Sequence, residues 1–109
     1  MLHHLIVYVP VAAAQSVRDA MAASGAGRIG NYDSCSFSST GTGRFRPLKG
    51  ASPAIGSIGT LEEVEEERIE AVVNEEDLKK VLEAIVKVHP YEEPAIHVLP
   101  MQDYKDIMK

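Results

Sequence analysis

Glycine is confined to the middle third of this chain. All eight glycines lie between Gly25 and Gly59, in a stretch that also contains Pro47 and Pro53. Glycine allows left-handed backbone and proline cannot donate to a sheet ladder, so turns and irregular backbone are expected here. A loop-rich region of this length usually serves a function, or it packs on a neighbouring subunit.

Residues 25–59 are called the glycine-rich region below. The residues that precede it predict a strand and then a helix. Residues 2–9 alternate in period two, with Leu5 and Val7 on one face, as in a half-buried strand. Residues 12–23 are strong helix formers without glycine or proline, and their apolar side chains recur at helical spacing. Gly25 is the expected C-cap, because it tolerates left-handed geometry.

The patterns that follow are less regular. Residues 32–38 alternate and predict a strand, which we expect to resume at residues 43–46 after a Thr-Gly turn. Residues 69–73 alternate like a strand with one solvated face. The glutamate-rich residues 62–67 are compatible with a helix by composition, or with the start of that strand.

The second helix has the clearest pattern in the chain. Asn74 is a favourable N-cap, and three acidic residues follow it, where the helix dipole favours negative charge. Apolar side chains then recur at i, i+3 and i+4 spacing, and Pro90 predicts an end near Val88. Residues 95–99 predict a last strand, and residues 101–109 a short strand or helix.

The predicted order is strand, helix, strand, strand, helix, strand. This order indicates an α+β fold, a ferredoxin-like βαββαβ sandwich with two helices on one face of an antiparallel sheet, over residues 1–109 as a single domain. The other sheet face would be open or would pack on another copy. Its candidate residues are Ile6, Tyr8, Val72 and Leu99. An apolar face that must be buried gives a reason to expect an oligomer.

Composition and charge narrow the class of protein. Residues 1–61 carry five Lys or Arg against two Asp or Glu, whereas residues 62–109 carry six against fourteen, for a net charge of −5. Net acidity argues against broad nucleic-acid binding. No apolar run approaches the roughly 18 residues of a membrane span, and the N-terminus does not resemble a signal peptide. One cysteine, Cys35, excludes an internal disulfide, so a reducing, cytoplasmic setting is expected.

Several motifs together resemble a known family. After an opening YVP, the chain contains GAGRIGNYDSCSFSSTGTGRFRP, EVEEERIEAVV and HPYEEPA, in this order. They are similar to the PII-like or CutA-like insert domain of the YqfO/NGG-interacting-factor family, in its stand-alone form. The resemblance implies a ferredoxin-like fold that assembles as trimers or related oligomers. The di-metal centre of the larger family lies in a flanking core that this chain lacks, so its hydrolase or cyclohydrolase labels are not carried over.

Two sets of side chains are candidates for binding chemistry. A ligand, in particular a small anion, would lie where the glycine-rich region meets the HPYEEP turn, since arginine offers a fixed fork of donors. The candidate ligand-binding residues are Arg28, Tyr32, Arg44, Arg46, His89 and Tyr91. Alternatively, the arginines pair with the glutamates of residues 62–70 or with a partner subunit.

The second set suits a divalent metal ion, which is the one cofactor that the sequence suggests. Imidazole nitrogen and carboxylate oxygen are ordinary ligands of such metals. The candidate ligands are His89, Glu92, Glu93 and Cys35. In the alternative interpretation, the two prolines of the turn shape it for packing, and Cys35 is a buried free thiol. The sequence Gly25-x-Gly27-x-x-Gly30 follows a helix instead of opening one, so it does not predict a dinucleotide site.

These observations predict a non-enzymatic, oligomeric module of PII/CutA-like type. It would form homotrimers or another homo-oligomer and bind a small ligand or a protein partner, in a regulatory or scaffold role. A divalent-metal-binding protein that uses the HPYEEP turn is the alternative hypothesis.

Overall fold

The structure, a computed structural model that describes residues Met1–Lys109, contains four strands and three helices. The elements are β1 (Leu2–Pro10), α1 (Val11–Ser24), β2 (Phe37–Phe45), β3 (Glu62–Asn74), α2 (Glu75–Val88), β4 (Ile96–Met101) and α3 (Tyr104–Ile107). The strands form one antiparallel sheet in the order β2-β3-β1-β4. The predicted ferredoxin-like α+β fold is confirmed, with α3 added at its end.

The core lies between one face of the sheet and the helices α1 and α2. Period-two alternation in β1 and β3 brings Leu5 opposite Ala71 and Val7 opposite Ile69, all nearly inaccessible to solvent. Both helices place their apolar stripes on this face, and the fully buried side chains include Val17, Val81 and Ile85. Burying one such side chain contributes about 1.5–3 kcal/mol, which makes this layer the main source of stability.

Helix α1 ends as the sequence predicts, but the start of α2 differs. Gly25 adopts left-handed backbone with φ of 118° at the C-cap of α1. At the start of α2, the Asn74 side chain makes no capping hydrogen bond. The backbone carbonyl of Met1 accepts from the amide of Glu75 at 2.9 Å. The neighbouring end of β1 therefore satisfies this donor in place of the expected side-chain cap.

The strand predictions need correction around the glycine-rich region. Residues 32–36 are not a strand, and β2 runs without a turn from Phe37 to Phe45. Of the two alternatives left open for the glutamate-rich residues 62–67, the structure has the strand. These residues pair along their whole length with β2, and this ladder outweighs their helix propensity. Strand β4 continues through Pro100, which is tolerated because β4 is an edge strand.

The β2–β3 loop, residues 46–61, contains no helix or strand. The amide of Gly59 donates to the carbonyl of Pro47 at 2.7 Å and closes the loop at its base. The amide of Ser52 donates to the carboxylate of Glu92 at 3.0 Å, which ties the loop to the turn between α2 and β4. None of the helices combines the length and the apolar character needed to cross a membrane.

Candidate functional site

A cavity of about 400 Å³ lies where the β2–β3 loop meets the His89–Pro94 turn. Its walls come from the end of β2 and from the loop, which contribute Phe45, Pro47 and Ile55 among other apolar groups. Its polar lining includes Glu66 and Tyr91. The cavity is therefore mostly apolar with a few polar groups close together, which is the usual composition of small-molecule sites.

The carboxylate of Glu66 is the most deeply buried acidic group of the protein. The residue is only 8% exposed, although it belongs to an acidic run of β3. Its carboxylate lies against Gly43 of the neighbouring strand, where a β-carbon would overlap it. The hydroxyl of Tyr91 donates to Glu66 Oε2 at 2.8 Å. A glycine on β2 thus creates the space that the carboxylate occupies.

The phenol of Tyr91 is held in its protonated form. Burial raises the pKa of Tyr91 above its usual range, and the hydrogen bond to Glu66 and the negative charge of Glu66 raise it further. The ring of Phe45 packs edge-on against Tyr91, with centroids 5.7 Å apart. Tyr91 therefore remains a hydrogen-bond donor to Glu66 across the physiological pH range.

His89 fixes the turn that carries Tyr91. Its Nδ1 accepts from the backbone amide of Tyr91 at 3.1 Å, so Nε2 must carry the proton in the neutral ring. Nε2 donates to the backbone carbonyl of Tyr8 on β1 at 2.8 Å. His89 itself is buried, and its two bonds connect the turn to the sheet. This histidine therefore positions Tyr91 and does not line the cavity.

The structure brings together some of the predicted ligand-binding residues. Arg44, Arg46 and Tyr91 line the cavity. Arg28 and Tyr32 lie outside it, exposed in the segment between α1 and β2. Arg44 pairs with a glutamate of β3, Glu63, at 3.2 Å, which is the alternative that the sequence left open for the arginines.

The predicted metal ligands do not form a cluster. Glu92 and Glu93 line the cavity, but both ring nitrogens of His89 are engaged in hydrogen bonds. Cys35 lies beside α1, where its backbone packs against Gly27. No three His, Cys, Asp or Glu side chains are grouped so that they could hold an ion. In this arrangement the four residues do not form a metal centre. Binding of a divalent metal by the HPYEEP turn stays a prediction.

Sequence reasoning missed Glu66, Gly43 and Phe45 as site residues. Glu66 belongs to an acidic run whose other four glutamates are all more exposed than it is. The burial of Glu66 could have been predicted from the pairing of this run with a strand that contains Gly41 and Gly43. That prediction requires the strand register, in which Gly41 pairs with Glu66.

The open sheet face carries a second set of polar contacts. His4 Nε2 lies 3.0 Å from Glu70 Oε1, and Arg68 Nη2 lies 3.5 Å from the same oxygen. The guanidinium of Arg68 lies over the ring of Tyr8, whose other neighbour is the ring of His97. Around this network the face exposes apolar side chains, among them Phe37 and Leu99. The helices α1 and α2 both pack on the other face of the sheet.

The chain shares its fold with CutA proteins. The solved divalent cation tolerance protein CutA1 from Thermus thermophilus superposes with a TM-score of 0.68, covering 99% of this chain and 93% of that one. The two are 18% identical, so this likeness shows the fold alone.

Closer relatives then identify the family to which this sequence is related. The chain is 49% identical over 100 residues to the GTP cyclohydrolase 1 type 2 homolog of Halalkalibacterium halodurans, covering 92% of this chain and 27% of the relative. The solved Bacillus cereus protein related to NIF3 is 45% identical with a TM-score of 0.82, covering 94% of this chain and 26% of that one. No family model matches the chain.

The chain is therefore a homologue of the PII/CutA-like segment of these proteins, and the predicted family resemblance is confirmed. It spans about a quarter of the length of the relatives that it matches.

Proposed function

We propose that this chain is a PII/CutA-like module that binds a small molecule in the Glu66–Tyr91 cavity and acts in regulation, without catalysis of its own. The observation that carries the proposal is the hydrogen bond between the buried Glu66 and the partly buried Tyr91, both of which line a largely apolar cavity. Polar groups that converge in an apolar cavity orient a ligand, and a site of about 300–1,000 Å³ suits a small molecule.

Hydrogen bonds within the chain also order the walls of the site. His89 fixes the turn through Tyr8 and Tyr91, and Glu92 holds the loop through the amide of Ser52. A site whose walls are already ordered loses less entropy on binding, which favours affinity. This rigidity supports a binding site more than it supports a loop that only connects two strands.

A thermal-shift screen with a matched pair of variants tests the binding function. Ala51 lines the cavity, so Ala51→Trp fills it, whereas Ala23→Trp adds the same ring on the exposed surface of α1. We expect small-molecule hits that raise the Tm of the natural chain and of Ala23→Trp but not that of Ala51→Trp. Hits that stabilise all three proteins equally would place binding elsewhere and contradict the proposal.

Self-association is a second part of the proposed function. The open sheet face exposes Phe37 and Leu99, and Val72 lies between them in the sheet. Burial of this face against further copies would remove these apolar groups from water, as expected for a sheet covered by helices on one side only. We propose a homo-oligomer, with a homotrimer as the arrangement that the family resemblance implies.

The absence of catalysis is proposed for this module alone. The name GTP cyclohydrolase 1 type 2 homolog belongs to relatives that are several times longer than the matched segment. Incubation of the purified chain with GTP, followed by chromatography of the nucleotides, tests the point. We expect no conversion above a protein-free blank, and steady turnover in proportion to the chain's concentration would overturn this part.

A further inference from the structure

We infer that the cavity selects an organic cation, a compound with an ammonium or guanidinium group on a small apolar or aromatic body. The inference rests on the proposed function, because it names the class of ligand for that same site. Glu66 lines this cavity and is about nine-tenths buried.

The charge of Glu66 has no counterpart within the chain. None of the ion pairs of the protein involves Glu66, although its neighbours Glu63, Glu67 and Glu70 each have one. Tyr91 donates a single hydrogen bond to Oε2 and brings no charge. A buried carboxylate without a cation carries a large desolvation cost, and a bound cation would offset it.

The aromatic groups of the cavity suit the same class of ligand. The rings of Phe45 and Tyr91 meet edge to face, and both residues line the cavity together with Glu66. A cation near the face of an aromatic ring is attracted by the ring quadrupole, most strongly where water is excluded. The apolar loop residues would then enclose the body of the ligand.

The charges at the rim do not favour an anion. Arg44 already pairs with Glu63 at 3.2 Å. Of the two arginines that line the cavity, only Arg46 is therefore without an ion pair. Two more carboxylates, those of Glu92 and Glu93, line the same cavity. The lining therefore holds three acidic and two basic side chains, and the most buried of them is acidic.

Three probes of one shape and different charge test the inference. Benzylammonium, benzyl alcohol and benzoate are titrated into the ¹⁵N-labelled chain at neutral pH, and Kd is taken from the backbone amide shifts around the cavity. We expect benzylammonium to bind about 10-fold or more tightly than benzyl alcohol, as a charged hydrogen bond predicts. Benzoate should bind most weakly.

Two variants assign the preference to one carboxylate. In Glu66→Gln, which keeps the shape and an acceptor for Tyr91, we expect benzylammonium to lose its advantage over benzyl alcohol. Glu65→Gln is the matched control, since it removes one charge from the adjacent, exposed residue, and it should keep the preference. If Glu66→Gln does not fold, Tyr91→Phe retains the carboxylate and should also keep the preference for the cation.

The outcomes separate the inference from the function on which it rests. If the probes shift cavity amides but benzyl alcohol or benzoate binds as tightly as benzylammonium, the cavity is a binding site and the cation inference is wrong. A preference that survives in Glu66→Gln, or is lost in Tyr91→Phe, also overturns the inference. If none of the probes shifts cavity amides while they bind elsewhere, both proposals fail.

Discussion

At the scale of single residues, the contact between Gly43 and Glu66 is the tightest constraint on the cavity. A β-carbon at Gly43 would overlap the Glu66 carboxylate, whereas one at Gly41 of the same strand would meet nothing within 4 Å. We expect Gly43→Ala to displace the Glu66 carboxylate from its hydrogen bond with Tyr91, and so to destabilise the protein by about 1–3 kcal/mol relative to Gly41→Ala. Urea unfolding of both variants measures the difference, and equal stabilities would show that Glu66 moves away freely.

Tyr91 gives a second prediction, with a definite pH dependence. Tyr91→Phe removes the donor to the Glu66 carboxylate, and we expect it to cost about 1–3 kcal/mol at pH 8. Because folding raises the pKa of Tyr91, the stability it contributes is present below its usual value near 10 and decreases as the pH rises further. The difference between the natural chain and Tyr91→Phe should therefore shrink above about pH 10.

Urea unfolding at about pH 8 and pH 11 measures this change. Tyr32→Phe is the control, since Tyr32 is 75% exposed, and its effect should be small at both values. A Tyr91→Phe effect that stays constant or grows with pH would contradict the prediction.

Single residues also show how far the sequence predicted the site. Arg44, Arg46 and Tyr91 could be proposed because arginines and the HPYEEP turn are visible as motifs, and all three line the cavity. Glu66 could not be distinguished from its acidic neighbours, because its burial depends on a glycine of another strand. Local sequence predicts what a residue is able to do, whereas burial of that residue depends on register.

At the scale of elements, α2 provides the clearest test of the core. Ile85 is fully buried against the sheet, whereas the next residue, Val86, is 57% exposed. We expect Ile85→Ala to cost about 2–5 kcal/mol in the free energy of unfolding. Val86→Ala should stay within about 0.5 kcal/mol of the natural chain. Thermal or urea unfolding measures both, and similar losses would mean that α2 packs by another face.

Some of the helices and strands could be predicted from the sequence, and others could not. β1, α1 and α2 follow from periodicity, because each has one apolar face that the core buries. Strand β2 has no such face: it is rich in serine, threonine and glycine, and only its pairing with β3 makes it a strand. The acidic half of β3 is strand for the same reason. Local alternation predicted only the two ends of β2, and the non-local ladder with β3 determines the full extent of both strands.

At the scale of the whole molecule, the open sheet face predicts self-association. Leu99 on this face is 49% exposed and Val86 on α2 is 57% exposed, which makes them a matched pair. We expect native mass spectrometry to show a homo-oligomer for the natural chain and for Val86→Glu, and mainly monomer for Leu99→Glu. A monomeric natural chain would contradict the proposed assembly, and an unaffected Leu99→Glu would move the interface to another face.

The uneven charge of the two halves also has a structural meaning at this scale. The basic first half and the acidic second half meet at β3, where Arg18 of α1 pairs with Glu67 and Arg44 of β2 pairs with Glu63. The sequence could predict such pairing but not that it would occur within one chain. Glu66, the buried glutamate of β3, has no such basic partner.

The most direct test of the central proposal is a map of small-molecule binding over the backbone amides in solution. A set of cationic, neutral and anionic fragments is added to the ¹⁵N-labelled chain, with Ala51→Trp as the blocked control. In the natural chain we expect the amides that shift to cluster around the cavity, at Gly43, Phe45 and Tyr91. In Ala51→Trp the same amides should not shift. Shifts confined to other surfaces, or no shifts in the natural chain, would contradict the assignment of this cavity as the binding site.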